Sequence, residues 1–122
     1  MRLNYYPDAI ARALEGVNEF DQKLARLRQE MAYLEGEAEL IVAFDTTLKN
    51  EDQRKARRFQ ILSNNPTYHA LQTQLVDLTT ERSSAVAQLE QLRDQFNVAK
   101  LEARLAIVEK LSLIESRELV GL

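Results

Sequence analysis

The stretch IARALEGVNEFDQKLARLRQEMAYLEGEAELI, Ile10 to Ile41, decides the architecture. Ile10, Ala13, Val17, Phe20, Leu24, Leu27, Met31, Leu34, Ala38 and Ile41 follow one another at alternating steps of three and four. Every one of these seam positions is apolar, and the residues between them are mostly charged or small. A period of 3.5 sustained over about 30 residues predicts a long helix whose narrow stripe packs against another long helix.

The flanks set its ends. Pro7 suits the first turn of a helix, where a missing N–H costs nothing, and Asp8 suits the positive helix end. The predicted helix covers 7–44, because Asp45, Thr46 and Thr47 then lower the propensity. Gly16 and Gly36 fall inside it, off the seam, each costing about 1 kcal/mol against alanine. They read as weak spots or points of close approach. Ahead of Pro7, Leu3, Tyr5 and Tyr6 read as a plug for the end of a bundle, with a recognition arm as the alternative.

A second, short helix is predicted over 51–63. Asn50 can cap it, Gln53 holds the reciprocal place of a capping box, and Glu51 and Asp52 complement the dipole. Asn64, Asn65 and Pro66 then stop one helix and start the next. The third helix, 66–118, has the seam Tyr68, Leu71, Leu75, Leu78, Arg82, Ala85, Leu89, Leu92, Phe96, Ala99 and Ala103. Arg82 alone interrupts it, and nothing within a single helix explains that arginine. After Val98 the apolar pattern widens to several faces, which requires several neighbours.

Lengths turn these elements into a fold. At 1.5 Å per residue the first helix is about 57 Å long and the third about 80 Å. Folded back, the third helix overshoots by roughly 20 Å, and the overshoot is its broad-faced apolar end. The expectation is all-α: one domain, 1–122, a long antiparallel helical hairpin (a coiled coil) with a short third helix at the tip. Leu101, Leu105, Val108, Leu111 and Ile114 are the expected dimer contact, through which two hairpins form a bundle.

Composition narrows the classes further. Hydrophobic residues make up 45% and charged residues 29%, too apolar for a disordered chain. There are no cysteines, which removes disulfides, thiolate chemistry and cysteine-ligated metals. The opening MRLNYYPDAI lacks the apolar run of a signal peptide and no stretch is long enough to span a membrane, so the expected location is the cytoplasm. His69 is the single histidine, and it excludes hydrolytic triads and two-histidine metal sites within one chain. Glu35, Glu37 and Glu39 lie inside the heptad and fan around it as a solvated face. The three glycines are isolated, so no phosphate loop exists. No catalytic residue, cofactor or metal site is expected, and the chain reads as a non-enzyme.

Charge is distributed unevenly. Residues 1–48 carry a net −4, residues 49–64 a net +3 and residues 65–122 a net −2. The basic segment holds Lys49, Arg54, Lys55, Arg57 and Arg58, with Arg54, Arg57 and Arg58 on one face. Guanidinium groups so spaced can clamp successive phosphates, with Phe59 or Tyr68 as a stacking surface. Glu51 and Asp52, one turn upstream, compete for the same cations.

The box KNEDQRKARR, the turn Asn64-Asn65-Pro66-Thr67-Tyr68 and the helix EQLRDQFNVAKLEARL resemble small coiled-coil proteins found in cyanobacteria and phage-related gene sets. The similarity covers residues 47–108. It implies an all-helical coiled coil and brings no catalytic residues, and a phage-like setting favours a DNA-associated role by analogy. The function expected is therefore an oligomeric scaffold or adaptor, its partners a second copy and another protein. The alternative is an accessory nucleic-acid-binding protein using the basic helix 49–58.

Overall fold

A computed structural model describes residues 3–120. Among them are a 3-10 turn, Leu3–Tyr5, and three α-helices with no strand: α1 Tyr6–Ala43, α2 Glu51–Ser63 and α3 Pro66–Val120. The chain groups into two compact units, residues 1–16 with 85–122 and residues 17–84.

The unit of residues 17–84 carries the larger core. Leu27, Met31 and Leu71 are buried together, with Leu34, Tyr68, Leu75 and Leu78 packed against them. Val17, Leu24, Ala38 and Val42 are buried as well. Each fully buried side chain of this size contributes about 1.5–3 kcal/mol relative to exposure. The Asp21 carboxylate holds Arg82 Nε at 2.5 Å, and Glu35 Oε1 accepts from the Tyr68 hydroxyl at 2.7 Å. Arg82 thus sits in an apolar seam because its charge has a partner on the facing helix.

The seam departs from the heptad at its end. Ile41 was the expected position, but Ile41 is exposed and Val42 is 3% exposed. Val17, Leu24, Met31 and Ala38 keep the seven-residue step, and only the last step, four residues from Ala38 to Val42, gives the eleven-residue spacing from Met31. α1 ends at Ala43 without a positive-φ residue. Asp45 Oδ1 accepts from the Thr47 N–H at 2.9 Å and from its hydroxyl at 2.6 Å. The hydroxyl bond comes first in holding the Asp45 carboxyl below its ordinary range.

In the unit of residues 1–16 and 85–122, Tyr6 is 5% exposed and stacks on Phe96, centroids 5.5 Å apart at 23°. Lys100 Nζ lies 4.6 Å above the same Phe96 ring, and Leu89 is buried. Of the three residues Leu3, Tyr5 and Tyr6 only Tyr6 is buried; Leu3 and Tyr5 stay exposed.

Neither α1 glycine is a close approach. A Cβ added at Gly16 or Gly36 meets nothing within 4 Å. Gly36→Ala is therefore expected to stabilise the protein by about 1 kcal/mol, through helix propensity alone. Thermal unfolding checks it: the midpoint rises by roughly 4 °C, and a fall would show a contact at that position.

Candidate interaction surfaces

Local capping builds the basic helix. Asn50 in extended backbone caps α2, its Oδ1 accepting from the Gln53 N–H at 2.9 Å. The Gln53 side chain reaches back one residue further than the capping box predicts, accepting from the Lys49 N–H at 2.7 Å. At the other end Asn65 Oδ1 accepts from the Thr67 and Tyr68 N–H groups and caps α3. His69 Nε2 lies 2.6 Å from the Ser63 carbonyl, which it serves as donor, tying the first turn of α3 to the end of α2.

Five cations were expected to face a ligand together. Arg58 instead meets two carboxylates: Nη1 donates to Glu39 at 2.8 Å and Nη2 donates to Glu51. Its Nε donates to the Arg54 carbonyl at 3.3 Å. Glu39, then Glu51, raises the Arg58 guanidinium above its ordinary value, and Arg58 is the first cause holding Glu51 below its own. Arg54 lies 3.7 Å from Glu51, and Arg57 donates to Gln60 at 3.1 Å. Among the described residues no carboxylate pairs with Lys49, Lys55 or Arg57. Arg58 therefore works as a clasp between α2 and α1. Its partners stand seven and nineteen residues before it, and only Glu51 is near enough in sequence to signal the pairing.

The acidic run is divided the same way. Glu35 binds Tyr68 and Glu39 binds Arg58, while Glu37 is exposed. Among the described residues no three His, Asp or Glu side chains converge as a metal site. The Tyr68 phenol is pushed up to about 12, first by its bond to Glu35 and then by burial. Raised above its ordinary value of about 10, this phenol contributes stability in full below pH 10. That contribution is lost as pH climbs through 12. The stability difference between the native protein and Tyr68→Phe, measured in urea, is thus expected to be level from pH 7 to 9 and to shrink toward pH 12. A difference independent of pH would contradict the bond.

The apolar end of α3 is the second surface. Every described side chain from Arg104 to Glu118 is exposed. Leu101, Leu105, Val108, Leu111 and Ile114 are all half exposed or more, and so are Val98, Ile107 and Leu113. A third patch was missed from sequence: Tyr33, Leu40 and Phe44 are 69, 60 and 81% exposed. Their spacing of seven and four residues, read alongside the seam, is the signal that could have found it. No described helix is long and apolar enough to cross a membrane. No family model, curated protein or solved structure matches the chain.

Proposed function

We propose that this protein is a non-enzymatic, oligomeric coiled-coil scaffold or adaptor that acts through protein–protein contacts. Its frame is a hairpin in which α1 and α3 run antiparallel. In support, Asp21 meets Arg82 while Glu35, fourteen residues later, meets Tyr68, fourteen residues earlier. In the other unit Tyr6 of α1 meets Phe96 of α3.

One observation carries the scaffold reading: the last turns of α3 leave a set of large apolar side chains in water. Six of them, Leu105, Ile107, Val108, Leu111, Leu113 and Ile114, are each 50% exposed or more within fifteen residues. So many large apolar side chains left exposed on one helix segment mark an interaction surface. The double variant Leu105→Glu, Leu111→Glu tests it: the scaffold reading expects a folded monomer by light scattering. An unchanged oligomer would place the surface elsewhere.

A second reading has one observation in its favour. Lys49, Lys55 and Arg57 make no close ion pair among the described residues, although Arg57 helps lower the Asp45 carboxyl, and Phe59 beside them is 74% exposed. Three phosphate contacts give a log–log salt slope of about −2 to −3, against about −3.5 to −4.5 for all five cations. Titrating fluorescent DNA and RNA across a salt series separates the readings. The scaffold reading expects no binding at low salt. Salt-sensitive binding abolished by Lys49→Gln, Lys55→Gln and Arg57→Gln would put nucleic acid first.

A further inference from the structure

Val98, Leu101, Leu105 and Val108 are 53, 61, 58 and 56% exposed and follow steps of three, four and three. At 3.6 residues per turn they centre about 180° round α3 from Phe96, Ala99 and Ala103, the half-buried positions of the same turns. A single heptad frame puts Val98 and Leu105 at a and Leu101 and Val108 at d. Asp94 and Ser112 bound the apolar run. In this frame Glu102 and Glu109 take e, and Asn97 and Arg104 take g.

These flanking charges choose the direction of pairing. In a parallel, in-register pair, each g position faces the e position five residues on. Arg104 then meets the partner's Glu109, twice over, and Asn97 meets the partner's Glu102. In an antiparallel pair, the register that stacks all four layers sets Val98 on the partner's Val108 and Leu101 on the partner's Leu105. The two-fold axis then returns each flank to itself, so Glu102 faces the partner's Glu102 and Arg104 the partner's Arg104. Opposite charges meet in one arrangement and like charges in the other.

We propose that two copies of this chain pair parallel and in register through Val98, Leu101, Leu105 and Val108, tied at the flanks by Arg104 and the partner's Glu109. This rests on the scaffold reading and gives it a partner and a geometry. Among the described residues neither Arg104 nor Glu109 has an ion-pair partner in its own chain. Val98 at a with Leu101 at d favours two strands, while Leu105 at a with Val108 at d leans toward more, so the flanking charges and not the layers select the parallel pair. Four layers are few, so the pair dissociates on dilution.

The chain has no cysteine, so a single introduced one reports its neighbour. Parallel pairing brings the two copies of position 108 together, and oxidised Val108→Cys yields a covalent dimer. In the antiparallel register those positions are about 15 Å apart, beyond the roughly 7 Å that a disulfide spans. There a tagged Val98→Cys chain mixed with Val108→Cys would link instead, and that result overturns the proposal. Arg104→Glu is expected to weaken the dimer about fivefold, with Glu109→Arg in the same chain restoring it. The antiparallel pair, which only exchanges one like-charge contact for another, would not respond. A native protein that is monomeric at every concentration removes the scaffold reading itself; a dimer that links through 98 and 108 removes only the direction.

Discussion

Leu27→Glu is expected to abolish cooperative folding at 25 °C. Leu27 is 5% exposed and stands at the centre of the cluster with Met31 and Leu71. Losing a buried leucine costs about 2–5 kcal/mol. Placing a carboxylate there adds several more, because burial strips the charge of its hydration. The sum rivals the roughly 5–15 kcal/mol that holds an ordinary domain together. Circular dichroism with urea or heat reads the result as a flat or strongly shifted transition. Leu40→Glu is the control, since Leu40 is 60% exposed and a change there should stay within about 0.5 kcal/mol. An unchanged melting curve for Leu27→Glu would take α1 out of the core.

The second large effect falls on assembly. Leu105→Glu with Leu111→Glu should reduce the solution mass to 14.0 kDa while leaving helicity intact. Both residues are more than half exposed in the single chain, so the monomer loses no core contact. Glutamate and leucine also have nearly equal helix propensity. In the parallel pair Leu105→Glu places a carboxylate from each copy inside the apolar stripe, where nothing can neutralise it, and Leu111→Glu adds a charge at each flank. Loss of mass with loss of helicity would mean that the C-terminal turns are held by assembly alone. Retained mass would move attention to Tyr33, Leu40 and Phe44.

Periodicity made the helices and much of the seams readable from the chain, because burial along a helix repeats locally. All the seam positions foreseen on α3, from Tyr68 to Ala103, are buried or half-buried. Asn50, Asn64, Asn65 and Pro66 bracket α2 and start α3, since capping is likewise a contact between near neighbours. What could not be read depends on residues far apart in sequence. Arg82 is explained only by Asp21, sixty-one residues earlier. The basic run was legible as a run, but the carboxylate clasp at Arg58, which sets it apart from Lys49 and Lys55 with no ion pair among the described residues, needed Glu39 in place. The slip from Ile41 to Val42 had another cause: three- and four-residue steps fit a seven-residue and an eleven-residue repeat equally until the stripe is followed for eleven residues.

Sedimentation equilibrium of the unmodified protein over a wide concentration range tests self-association through α3 most directly. The expected result is a mass that climbs from 14.0 kDa toward twice that value as concentration rises. A mass fixed at that of one chain throughout the range would contradict it.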